Sequence, residues 1–183
     1  MMATLTGLSL ALMAPLCLAM WGDKLFYKLD SLTSKCLQQL FLATLFVAIC
    51  FIVIFWEKQP LSSIGLYSLH WQPVMWGLIF AAFLIYIYSP ILIRVMNWFG
   101  ISGFENGLVK LTSLPIWYLI IAVVIGGIVE EVLYRGYAVE RLSSLTGNYW
   151  IGSILALVAF GLAHVPIWGW FPALTTVVSV LVS

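Results

Sequence analysis

Charge is what this sequence has least of. Lys, Arg, Asp and Glu make up 8% of its 183 residues, against about 25% in a soluble domain. That is too few to cover a water-facing surface, which excludes an ordinary soluble globular fold. The formal net charge of +1 is spread thinly along the chain, so no basic patch exists for nucleic acid to grip. Cysteine and histidine are scarce too, at three and two residues. Cys17 and Cys50 sit inside apolar runs and Cys36 at the edge of one, with no metal or redox spacing, so disulfides are not expected. Internal repeats and low-complexity linkers are missing. The Gly-rich stretch from Asn97, "NWFGISGFENG", lacks phosphate-binding spacing.

What is present in abundance is hydrocarbon. Hydrophobic residues account for 63% of the chain and aromatic ones for 15%. The few charges divide the sequence into uncharged runs: 1–22, 36–56, 71–93, 111–129, 142–163 and 165–183. Crossing the bilayer core takes roughly 20 helical residues, so these runs predict an all-α integral membrane protein, a bundle of about six transmembrane helices. The whole chain reads as a single transmembrane domain. The first run lacks a basic n-region, and Met20-Trp21 is a poor cleavage site, so it is expected to be a retained helix rather than a signal peptide. Lys24, Lys28 and Lys35 follow the first run, Arg94 and Lys110 bound the loop after the third, and Lys58 stands alone after the second. Positive-inside bias then places the N-terminus outside the cytoplasm.

Local signals divide the chain further. "EKQPLSSIGLYSLHW", from Glu57, reads as a loop and a short interfacial segment, with Trp71 at headgroup level and His70 an interfacial histidine. "TSLPIW" reads as a helix start, with Pro115 in the first turn and Thr112 or Ser113 as cap. Gly147-Asn148 is a turn, followed by the aromatic pair Tyr149-Trp150. The next helix is expected to run to about His164, where Pro166 ends or kinks it.

The most polar stretch is "GGIVEEVLYRGYAVER", residues 126–141. Glu130 and His164 each lie 17 residues from Gly147. In an antiparallel hairpin turning there, both side chains sit level, very roughly 25 Å from the apex. Glu131 and Arg135 are i, i+4 neighbours able to pair along one face. Glu130 is turned about 100° from them, towards Gly126, Gly127 and Tyr134, and the two glycines leave room for a partner helix or substrate backbone. Phe160 and His164 share a face of the next helix. Ionisable groups in lipid usually face a bundle interior or a water-filled cavity. There a glutamate suits a general base or proton carrier, and an imidazole suits an oxyanion donor, proton partner or metal ligand. The charge pattern alone also allows the helix to end near Val129, leaving residues 130–141 as a wet loop. Phe160 then reads as packing, and Glu131–Arg135 as a structural pair.

These residues carry a resemblance. Glu130-Glu131-x-x-x-Arg135 resembles the EExxxR motif of the CPBP family of intramembrane proteases, which includes type II CAAX prenyl endopeptidases and bacteriocin-processing enzymes. Phe160-x-x-x-His164 is similar to that family's second motif, and the likeness covers residues 111–183. The resemblance implies an intramembrane endopeptidase acting on a membrane-associated, hydrophobic or lipidated peptide, in a bacterial plasma membrane. It implies Glu130 as activator of the attacking water, His164 in the site, and Glu131, Arg135 and Phe160 in support. Cofactors stay open: Glu130 and His164 would be the ligands if zinc is used, but one His with one or two Glu is an incomplete set, and a metal-free glutamate mechanism is the alternative. The family's third motif, a further His followed four residues on by Asn or Asp, has no counterpart in the sequence, so the chain is expected to be short at its C-terminus. That motif's absence supports a second reading, a non-catalytic membrane protein serving in immunity or partner binding. A proton-coupled transporter using Glu130 and His164 ranks last, because no inverted repeat is visible.

Overall fold

The computed structural model describes residues 1–68, 70–100, 112–170 and 173–174. Among them five helices are long and apolar enough to cross a membrane, and no strand occurs. They are α1 (Met2–Leu25), α2 (Ser31–Trp56), α3 (Trp71–Phe99), α4 (Ile116–Thr146) and α5 (Tyr149–Trp168). This is a multi-pass membrane architecture. The sixth expected run, 165–183, and most of the Gly-rich loop after Asn97 lie outside the described residues.

The turns show why the chain folds back where it does. Asp30 caps α2: its Oδ2 accepts from the Thr33 backbone N–H at 2.8 Å, which holds this carboxyl below its ordinary pKa. Between α4 and α5, Gly147 adopts the left-handed conformation at φ 68°, which a β-carbon resists. Asn148 then accepts from the backbone N–H groups of Trp150 and Ile151 at 2.9 and 3.3 Å. The expected hairpin therefore forms, with its polar groups satisfied at the apex.

Two boundaries differ from expectation. Pro115 is itself the cap residue of α4, in extended conformation at ψ 142°, and makes no side-chain capping bond. Helix α5 passes through Pro166 to Trp168. So near a helix end the proline removes a single backbone bond, and the remaining turns hold.

Helices α1, α2, α4 and α5 pack together around Leu8, Ala11, Leu45, Ile49, Leu133, Tyr137 and Ala156. By contrast α3 has Met96 as its one buried residue among those described. In a bilayer its apolar sides meet lipid. The loop after α2 carries a 3-10 turn, Leu61–Ile64. It tucks Ile64, 1% exposed, into the same core.

Alpha geometry is interrupted in the helix that carries the polar stretch. Residues Glu131–Ala138 form a π-helix, closed by a bond from the Val139 N–H to the Tyr134 carbonyl. Such widened turns gather at functional sites more often than elsewhere. With more residues per turn, the angular step from one side chain to the next shrinks.

Candidate active site

Glu130 is the last α-helical residue before the π segment, midway along α4 rather than at its end. Across the hairpin, His164 Nε2 lies 3.9 Å from Glu130 Oε1. The imidazole is 15% exposed and the glutamate side chain 41%, so the histidine is the embedded partner and the carboxylate reaches into open space.

The histidine's orientation is fixed by its own helix. Nδ1 lies 2.9 Å from the Phe160 carbonyl, one turn back. A carbonyl oxygen can only accept, so Nδ1 carries the hydrogen. In the neutral ring, the lone pair of Nε2 then faces Glu130. Phe160 packs its ring against the imidazole, centroids 4.3 Å apart, and meets Tyr134 edge-on at 5.1 Å. It holds the imidazole plane between α4 and α5, a packing role with a positional consequence.

Two cavities meet at Glu130. A cleft of about 520 Å³ opens between α4 and α5. Its walls include Gly127, Glu131, Arg135, Trp150 and Phe160. A narrower cavity of about 200 Å³ lies on the far side, among α1, α2, α4 and α5. Glu130 and Tyr134 border both. Gly126 faces the narrow cavity and Gly127 the cleft, and a β-carbon at either would touch nothing within 4 Å. The glycine gap expected from the sequence is open space.

Arg135 and Glu131 form the expected ion pair, both exposed. Sequence reasoning put this pair on a separate face from Glu130. In the structure both residues line the same cleft as Glu130.

Tyr134, which helical phase put beside Glu130, has its ring 3% exposed, and its hydroxyl has no hydrogen-bond partner. Two further residues that matter here escaped the sequence. Glu57 and Arg141 form a buried ion pair at 2.8 Å, their side chains 6% and 13% exposed. Tyr137 donates its hydroxyl to the other oxygen of Glu57 at 2.8 Å, and Arg141 also reaches Ser63 Oγ at 3.1 Å. This knot ties the 3-10 turn to the π segment. Gly136 lets them meet, since a β-carbon there would collide with the Ile64 carbonyl. No local pattern links residues 84 positions apart.

The second histidine, His70, caps α3, with Nε2 3.1 Å from Ser68 Oγ. Among the described residues no three His, Cys, Asp or Glu side chains converge. Glu130 and His164 supply two donors where a catalytic zinc site has three protein ligands, so the described donor set does not fit zinc.

The same segment was compared with known families. Residues 112–183 match a family model described as "Type II CAAX prenyl endopeptidase Rce1-like". The match covers 72 of the 183 residues, and over that stretch the chain is similar to the Rce1-like family. The Rce1-like region contains Glu130, Glu131, Arg135, Phe160 and His164. Searches of curated proteins and of solved structures gave no match.

Proposed function

We propose that this protein is an intramembrane endopeptidase that hydrolyses a peptide bond of a membrane-associated or lipidated peptide, in a bacterial plasma membrane. One observation carries the reading. Glu130, on the wall of a half-open cleft, faces the lone pair of His164, which lines the narrow cavity behind it, at 3.9 Å.

That spacing suits a shared water. An oxygen about 2.8 Å from each acceptor subtends roughly 90° between them across the 3.9 Å gap, close to the angle between a water's own two hydrogens. Water so held donates to both groups and presents its lone pair to a carbonyl in the cleft. As the water oxygen bonds to the carbonyl carbon, Glu130 takes the proton. The C–N bond then breaks and the proton passes to the leaving amine. His164 keeps the nucleophile oriented, and Phe160 keeps the imidazole oriented. Glu131 and Arg135 neutralise each other at the rim, so they support the site rather than exchange protons with the substrate. The apolar walls and Trp150 favour a hydrophobic or lipid-bearing peptide, in keeping with the Rce1-like match.

A second reading, a peptide-binding membrane protein without turnover, is favoured by the single imidazole facing Glu130. Purified protein in nanodiscs, incubated with a prenylated peptide and followed by mass spectrometry, separates the two. A peptidase produces a new C-terminus, and His164→Ala lowers kcat/KM about 100-fold. Saturable binding with an intact peptide, unchanged by His164→Ala, refutes the catalytic reading.

A further inference from the structure

Hydrolysis consumes one water per bond, and a peptide lying in the cleft covers Glu130 from that side. The narrow cavity reaches the same carboxylate from the other side. We propose that this cavity is a water conduit, leading from the exposed Asp23–Lys35 cluster to Glu130 and His164.

The lining shows the course. Gln38 and Gln39 stand at one end, Ala122 and Gly126 along the wall, and Glu130 and His164 at the other end. From Ala122 to Glu130 is about 12 Å along α4 at 1.5 Å per residue. The volume, about 200 Å³, holds roughly six or seven waters at about 30 Å³ each. Its outer end is wet. Gln38 Nε2 donates to Asp23 Oδ1 at 3.0 Å, the same oxygen takes Lys35 Nζ at 2.7 Å, and the Asp23 side chain is 71% exposed.

Two polar atoms call for a ligand that both donates and accepts. Gln39 Oε1 is buried without a hydrogen-bond partner, and so is the Tyr134 hydroxyl; both residues line this cavity. Left dry, each costs about 1–3 kcal/mol. A lipid tail can satisfy neither, whereas water can pair with each once its side chain turns into the cavity, since both oxygens are themselves closed to solvent as packed. The sequence carries the same signature: Ser34, Lys35, Gln38 and Gln39 begin α2, and from Leu45 to Trp56 the helix is wholly apolar. Polar side chains at membrane depth face protein or water-filled space. Leu18, Leu42 and Leu133 keep the passage narrow, which suits single waters and excludes a peptide.

The conduit rests on the peptidase reading only for its kinetic consequence, so the test has two arms. In the first, Cys17, Cys36 and Cys50 are replaced by Ser, and single cysteines are placed at Gln39, Ala122 or Val123 in nanodisc-held protein. An anionic methanethiosulfonate reacts with thiolate, which forms in water and not in hydrocarbon. Gln39→Cys and Ala122→Cys should react at least about tenfold faster than Val123→Cys, whose parent side chain is 74% exposed on the lipid side. Rates no faster than Val123→Cys mean a cavity filled by acyl chains and overturn the conduit, whatever the protein's activity. In the second arm, Ala122→Leu narrows the passage and should lower kcat about tenfold with KM unchanged, while Ala122→Ser restores kcat. Wild-type kcat in Ala122→Leu refutes the conduit as the water supply.

Discussion

Arg141→Met removes the cation that neutralises Glu57 inside the protein. The pair is 2.8 Å apart, with side chains 13% and 6% exposed, so solvent screens little of the interaction. Three further contacts go with the guanidinium: a second bond to Glu57 through Nε at 2.9 Å, the bond to Ser63, and its position over the Tyr137 ring. Glu57 would keep only the Tyr137 hydroxyl among the partners seen here. Breaking a buried pair in this way costs about 3–5 kcal/mol. At roughly 2–4 °C per kcal/mol for a chain of this size, the expected fall in Tm is about 6–20 °C, measured by circular dichroism in detergent. Glu57→Gln together with Arg141→Met removes both charges and keeps an acceptor for Tyr137. That double variant should be about 2 kcal/mol more stable than the sum of the single losses. A single-variant shift under about 2 °C, or strictly additive losses, would refute the reasoning that this knot is buried and coupled.

Other expectations follow from neighbouring features. Gly136→Ala drives a methyl into the Ile64 carbonyl, a backbone contact with little freedom to yield, and should destabilise by about 1–3 kcal/mol in the same thermal assay. Asn148→Ala removes the acceptor for two N–H groups at the start of α5 and should cost about 1 kcal/mol, read as a lower Tm without a change in KM. Glu131→Gln breaks an exposed pair and should shift stability by less than about 1 kcal/mol; a larger loss would make the pair a brace after all.

The α4–α5 hairpin was legible because its determinants are local. Gly147-Asn148 fixes the turn, two apolar runs fix the arms, and equal spacing brings Glu130 level with His164. The helix that carries Glu131 was legible in existence, but periodicity assumes an α-helix and could not show the π segment that begins there. Pro166 left a stop or a kink open, and the helix runs two residues past it because near a helix end a proline costs one bond. The loop after α2 was legible as a loop from its Pro, Ser and Gly content, but not its packing, which a buried ion pair between Glu57 and Arg141 ties to the core. That pairing depends on a tertiary contact and leaves no spacing to read.

The central claim is that Glu130 acts as a base. Its most direct test is the turnover of a prenylated peptide by Glu130→Gln beside the wild type, with Tm confirming that both are folded. Gln keeps the shape of the side chain and the acceptor oxygen but cannot take the proton, so kcat should fall by about 10²–10⁴. Equal turnover by the two proteins would contradict it.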